Sequence, residues 1–289
     1  MNSTNESSQD SGDRGSSPKE KPVKVGEEVD VTVSEFVVGN RPDSGAALHV
    51  VFAIPADRLT AVPDSARVVY PVAFRLYVVD RSGSVAARLD TARVFGARAP
   101  LASGSYLTGQ LTVPVPPGAY HYRLLVQQND GAAGNVVGGD SITVDTLTGR
   151  RFAVSDLVVG RAGSGLIWRT GGDTVFLNPL RQFPTGTSAE LYYEVYGLPA
   201  GTVYHTVIRL EHASGRSVLG AIARVFGGGR RLPVLLEFDA PSDGPVTLVH
   251  RRLDLGDAQR GGYVLVLQIS DPATGIAVTR REAFSVVTP

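Results

Sequence analysis

Val33-Ser34-Glu35-Phe36-Val37-Val38-Gly39 recurs almost unchanged as Val154-Ser155-Asp156-Leu157-Val158-Val159-Gly160. Each phrase opens a long stretch of short apolar runs separated by turn residues, the mark of a chain built from repeated units. Further matches extend the repeat. Ala92-Arg93-Val94-Phe95-Gly96 returns as Ala223-Arg224-Val225-Phe226-Gly227. Phe74-Arg75-Leu76 leading to Ser82-Gly83 is answered by Val207-Ile208-Arg209-Leu210 leading to Ser214-Gly215, and Gly118-Ala119-Tyr120-His121-Tyr122 by Gly262-Tyr263-Val264-Leu265. The spacing between equivalents grows along the chain, so insertions fall in surface connections while the strands persist.

Apolar residues alternate with period 2 in Val29-Asp30-Val31-Thr32-Val33 and in Phe74-Arg75-Leu76-Tyr77-Val78, which predicts strands. Asp80-Arg81-Ser82-Gly83, Pro116-Pro117-Gly118, Asn129-Asp130-Gly131 and Leu147-Thr148-Gly149 supply turn chemistry between them. No segment carries a capped 3.6-residue apolar stripe. The expected fold is therefore all-β: two tandem immunoglobulin-like β-sandwich domains, residues 28–149 and 150–289, after a disordered tail over 1–27. The tail is Ser, Asn, Asp, Glu, Gly, Lys and Pro, too polar to offset its chain entropy by burial. Gly118-x-Tyr120 and Gly262-Tyr263 stand where a tyrosine corner would tie its hydroxyl back to the chain. Tyr263 to Ile269 is apolar on both faces, as in a central strand or one covered by the neighbouring domain. The Arg150-Arg151 junction has no flexible Gly/Ser linker, which predicts two domains in contact.

A length of 289 residues allows two cores. Lys+Arg 28 against Asp+Glu 28 leaves no global field to draw nucleic acid or an anionic membrane. With no cysteine, a disulfide framework, a Cys-ligated zinc and a thiol nucleophile are all excluded. No apolar run reaches the ~18–20 residues that span a bilayer. Met1-Asn2-Ser3-Thr4-Asn5-Glu6 shows no signal-peptide pattern, so the expected location is the periplasm or cell envelope if a leader has been removed, and otherwise the cytoplasm.

Candidate chemistry is sparse. No lysine follows Lys24, so a P-loop is absent, as are G-x-S-x-G and G-x-G-x-x-G. His49, His121, His205, His212 and His250 are scattered and predict isolated strand or loop histidines. Glu190 and Glu194 share one strand face about 13 Å apart. That exceeds the roughly 5–9.5 Å of paired glycosidase carboxylates, and a solvated face is expected. Asp130, Asp140 and Asp145 lack the order of an EF-hand. Arg230-Arg231, Arg251-Arg252 and Arg280-Arg281 are far apart and not interleaved with aromatics, so solvated faces are favoured over nucleic acid. No catalytic residue, metal site or cofactor is assigned.

Trp168 to Phe183 has no equivalent in the first copy and holds the only Trp. Aromatic and Arg residues in an inserted loop suit a protein-contact surface, though a loop folded over the inter-domain seam is favoured. The candidate binding residues are Trp168, Phe176, Asn178, Arg181, Phe183, Tyr192 and Tyr196.

Ser155-Asp156-Leu157, Asn178-Pro179, Leu191-Tyr192-Tyr193-Glu194-Val195-Tyr196-Gly197-Leu198, Gly262-Tyr263, Ser270-Asp271-Pro272-Ala273-Thr274-Gly275 and Phe284 together resemble the C-terminal β-domains of GWxTD-domain bacterial proteins. The Gly-Trp-x-Thr-Asp motif itself is absent, as is a helical N-terminal region. The resemblance implies a β-sandwich and an envelope setting, and transfers no catalytic residue. The expected function is a non-enzymatic protein-interaction or scaffold module, an accessory subunit of an envelope or membrane-associated assembly. The alternative is a carbohydrate-binding sandwich using exposed Trp168, Tyr192 and Tyr196, and a loop-borne hydrolase comes last.

Overall fold

A computed structural model describes residues 26–39, 45–65, 67–128, 133–139, 141–213 and 234–289. Within them the protein is all-β, with one short 3-10 turn at Ala56–Arg58. No described helix is long and apolar enough to cross a membrane. Ala223–Gly227, Arg230-Arg231, Asp130, Asp140 and the expected tail up to Val25 lie outside the described residues. At the tail's end the structure differs from expectation: Glu27 already pairs with Ala133.

The N-terminal half comprises β1 (Glu27–Glu28), β2 (Thr32–Gly39), β3 (Ala46–Pro55), β4 (Val62–Asp64), β5 (Arg67–Asp80), β6 (Val85–Ala97), β7 (Tyr106–Val115), β8 (Gly118–Gln128), β9 (Ala133–Gly138) and β10 (Ile142–Val144). They form two sheets. Sheet A runs β9-β8-β5 with β6 on the far side of β5, and sheet B runs β2-β3-β7. Period 2 directs Leu48, Val50, Phe52 and Ile54 of β3 onto Phe74, Leu76, Val78, Tyr122, Leu124 and Val126 of sheet A. The rings of Phe52 and Phe74 meet at 4.6 Å.

The C-terminal half comprises β11 (Ala153–Val154), β12 (Val158–Arg161), β13 (Leu166–Thr170), β14 (Asp173–Leu177), β15 (Gln182–Pro184), β16 (Ser188–Tyr196), β17 (Val203–His212), β18 (Val234–Pro241), β19 (Val246–Asp254), β20 (Gly261–Asp271) and β21 (Ile276–Val287). Sheet C holds β12-β16-β19, extended beyond β12 by the β14-β13 hairpin, and sheet D runs β21-β20-β17-β18. Leu191, Tyr193 and Val195 of β16 meet Tyr204, Ile208, Leu265 and Leu267 of sheet D in a second core.

The strand order of sheet B is repeated by β12-β16-β19, and that of sheet A by sheet D, with a short parallel strand at one edge of each larger sheet. Both expected tyrosine ties form: the Tyr120 hydroxyl donates to the Pro117 carbonyl at 3.4 Å, and Tyr263 to Gln259 at 2.7 Å. The β13-β14 hairpin has no counterpart among the described residues of the first half. It lies at the boundary between the halves.

Candidate functional site

Sheets B and C face each other across the seam between the halves, so β3 and β16 are buried on both faces. Phe36, Val38 and Val51 from the first half pack with Val158, Trp168, Val175, Leu177 and Tyr192 from the second. The Trp168 ring lies 5.0 Å from Phe36, 5.3 Å from His49 and 5.1 Å from Tyr192, and Phe36 stacks on His49 at 4.7 Å. Burial drives the His49 pKa down to about 4, so the imidazole is neutral near pH 7. Its Nδ1 is 3.1 Å from the Thr112 hydroxyl.

Polar groups fix the register of the seam. Strand β2 ends sheet B and turns the N–H groups of Val37 and Gly39 away from β3. An open sheet edge of this kind needs partners. The Val37 N–H donates to Asp156 Oδ2 at 2.8 Å, and the Asp156 N–H returns to the Val37 carbonyl at 2.9 Å. The Gly39 N–H donates to Glu194 Oε2 at 2.8 Å. Asp156 is free to do this because the chain leaves sheet pairing between β11 and β12. There Ser155 Oγ accepts from the Glu194 N–H at 2.9 Å.

Glu194 is 3% exposed, and both carboxylate oxygens are occupied. Oε1 accepts from the Tyr192 hydroxyl at 2.7 Å, while Oε2 accepts from Tyr196 as well as Gly39. Burial, and then the adjacent carboxylate, raise both tyrosine pKa values above their ordinary range, keeping the hydroxyls protonated as donors. Gly39 fits because it has no side chain: a Cβ there would sit 2.0 Å from the Tyr196 hydroxyl oxygen. The expected solvated face at Glu190 and Glu194 is thus corrected. Glu190 is partly buried and accepts the Phe176 N–H at 3.2 Å.

A second polar cluster flanks the first. Arg280 reaches Asp145 at 2.5 Å, the Ser155 carbonyl at 3.0 Å and Asp156 at 3.6 Å. Burial raises the Asp156 pKa against the opposing pull of Arg280. Arg181 pairs with Glu282 at 2.8 Å, and burial pushes the Glu282 pKa up to about 7 despite that cation.

Beside the Glu194 network the two halves diverge and leave a cleft of about 700 Å³. Val38, Ala47, His49 and Thr112 form the wall from the first half, and Trp168, Arg169, Thr170, Tyr196 and Leu248 the wall from the second. The volume falls within the range of small-ligand sites, which favour boundaries between domains.

The structure divides the residues singled out in the sequence. Trp168, Tyr192 and Tyr196 come together in the seam, at 7%, 0% and 3% exposure. They are not the exposed aromatics expected of a carbohydrate platform. Phe183 is buried in the second core against Phe284. Phe176 pairs with Ile167 inside the hairpin. Asn178 donates its side-chain N–H to the Gln182 carbonyl at 2.8 Å, and Arg181, at φ 52°, holds Glu282. His49, Glu194, Asp156 and Arg280 were missed as seam residues. One signal was available: His49 interrupts a run, Ala46 to Ile54, that is apolar at both parities, so no face of that strand meets water.

No family model and no curated protein matches the chain. Among solved structures it is similar to trypsin-activated alpha-2-macroglobulin from Escherichia coli, at 14% identity over 89% of this chain and 16% of that one, with a TM-score of 0.29. The native conformation of E. coli alpha-2-macroglobulin matches at 13% identity over 89% of this chain and 14% of that one, with a TM-score of 0.29. Red sea bream transglutaminase matches at 11% identity over 89% of this chain and 32% of that one, with a TM-score of 0.23. The chain thus spans under a third of each of these proteins.

Proposed function

We propose that this protein is a non-enzymatic interaction module: two tandem immunoglobulin-like sandwiches, residues 28–149 and 150–289, that present the seam cleft to a partner protein. The repeated strand order and the paired tyrosine ties support the domain assignment. The observation that carries the function is the cleft, whose walls come from both halves and are held in place by Glu194, Tyr192, Tyr196 and Gly39. Walls already locked by packing and hydrogen bonds leave little ordering cost for binding. Kinship with GWxTD-domain proteins and an envelope setting belong to the same proposal and rest on the sequence phrases alone.

The test fills the cleft without touching either core. Thr112 is exposed and lines the cleft, so Thr112→Tyr adds bulk there. The variant is expected to keep its melting temperature within about 2 °C, as surface substitutions do, and to lose the partner captured by the unaltered protein from detergent-solubilised native cells. Equal capture by the filled variant would overturn the proposal.

A further inference from the structure

Glu194 gives the cleft wall a charge that has no counter-charge among the described residues. It lines the cleft, is 3% exposed and forms no ion pair there. Its three partners, the Tyr192 and Tyr196 hydroxyls and the Gly39 N–H, are all neutral donors. A carboxyl group met by donors alone is bonded as an ionised carboxylate, which has about four lone-pair positions, so one stays unfilled. After burial, this carboxylate is the next cause opposing ionisation of both tyrosines. Buried charges are ordinarily paired. Neither other titratable group on the wall pairs this one. Burial keeps His49 neutral near pH 7, and alternation along β13 turns the Arg169 side chain to the exposed face opposite Trp168 and Thr170.

Resting on the interaction proposal above, we infer that the cleft takes a lysine side chain of the partner polypeptide, its ammonium group answering the charge of Glu194. Charge complementarity selects a cation, and the state of the carboxylate selects which one. A guanidinium binds best through two parallel donors on two free oxygens, and three donors already hold those of Glu194. A compact ammonium needs only the one position left. Trp168 and Tyr196 line the same cleft, and aromatic rings attract cations through their faces. Val38, Ala47, Leu147, Val246 and Leu248 supply apolar surface for the four-carbon stem. The occupant brings the cation that the seam lacks.

Trp168 lines the cleft and is the only Trp in the chain, so its emission reports occupancy directly. The probes are acetyl-Ala-Lys-Ala-amide, the same peptide with norleucine or arginine at the centre, and butylammonium. Norleucine keeps the apolar stem and lacks the ammonium. The expected result is saturable quenching or shift with the lysine peptide and binding about tenfold weaker with the other two peptides, the usual scale for losing one charge-assisted hydrogen bond. Glu194→Gln is expected to equalise the lysine and norleucine peptides. Should that variant fail to fold, the lysine and norleucine comparison on the unaltered protein decides alone. Equal binding of those two peptides by the unaltered protein would overturn the ammonium assignment and leave the cleft proposal intact. An arginine peptide that binds as well as lysine would overturn the choice of lysine. Butylammonium binding as tightly as the lysine peptide would assign the cleft to free amines and overturn the polypeptide source. No response to any probe would overturn this inference, while partner capture by the unaltered and the filled protein would still decide the interaction proposal.

Discussion

Strands β5 and β16 carry the same period-2 pattern and meet different surroundings. In β5, Phe74, Leu76 and Val78 face the first core while Arg75 on the opposite face is exposed to water. In β16, Leu191, Tyr193 and Val195 face the second core, and Tyr192, Glu194 and Tyr196 on the opposite face are buried in the seam. Alternation says which residues share a face. It does not say what that face meets. Water covers the outer face of β5, and another sheet covers that of β16. A polar residue on the first is solvated, whereas one on the second must find every partner inside the protein.

The largest expected effect comes from removing the ring at the centre of the seam. Trp168→Ala should lower stability by about 3–5 kcal/mol in urea unfolding, the usual cost of deleting a buried aromatic ring. Val94→Ala on β6, where the side chain is 65% exposed, should stay within about 0.5 kcal/mol. A cost under about 1 kcal/mol for Trp168→Ala would mean that the seam does not contribute to the cooperative unit, and the contrast between inner and outer sheets would fail.

Next comes the polar side of the same contrast. Glu194→Leu leaves two tyrosine hydroxyls and the Gly39 N–H without an acceptor, which should cost about 2–4 kcal/mol. Arg75→Ala removes an exposed pair with Asp90 at 3.4 Å and should cost under about 1 kcal/mol. Equal losses from the two would sink the claim that seam polarity is buried polarity.

Acidity sharpens the comparison further. Burial holds the folded-state Glu282 pKa at about 7, whereas the unfolded chain titrates this group in the ordinary carboxylate range. The folded state binds that proton more tightly. The contribution is therefore fully present below the ordinary carboxylate range and is lost as pH rises through about 7. Glu282→Gln should remove that fall, so the variant's stability gains on that of the unaltered protein by on the order of 2 kcal/mol between pH 5 and 8. His49 runs the other way: its contribution is lost as pH falls from the ordinary histidine range toward 4. Both proteins share it, so it cancels in the difference. Parallel profiles for the two proteins would remove Glu282 from the account.

The smallest effect compares the halves with each other. Tyr263→Phe removes a 2.7 Å bond to Gln259 and should cost about 1 kcal/mol. Tyr120→Phe removes a 3.4 Å bond to Pro117 and should cost less, near 0.5 kcal/mol. A reversed order would show that the two ties are not equivalent in the way their positions suggest.

The sequence by itself determined the all-β class and the strands at Val33 to Gly39 and Phe74 to Val78, because period-2 alternation and turn chemistry are local properties of the chain. It also placed both tyrosine ties, since a Gly-Tyr phrase at a strand start is local too. Only tertiary structure decided the candidate site. The inserted stretch allowed a seam at Trp168, but Tyr192 and Tyr196 read only as exposed aromatics of a carbohydrate platform, because nothing along the chain announces that sheet B will cover them. Glu194 read as solvated because its three partners, Tyr192, Tyr196 and Gly39, include one from the far half of the molecule. Asp156 and its repeat equivalent Glu35 make the point most directly. They hold the same place in the same phrase, yet Asp156 caps the edge of β2 while Glu35 accepts from the Tyr122 hydroxyl at 3.1 Å. Burial and partner choice at a seam are set by which surfaces meet, a long-range outcome that a local pattern does not encode.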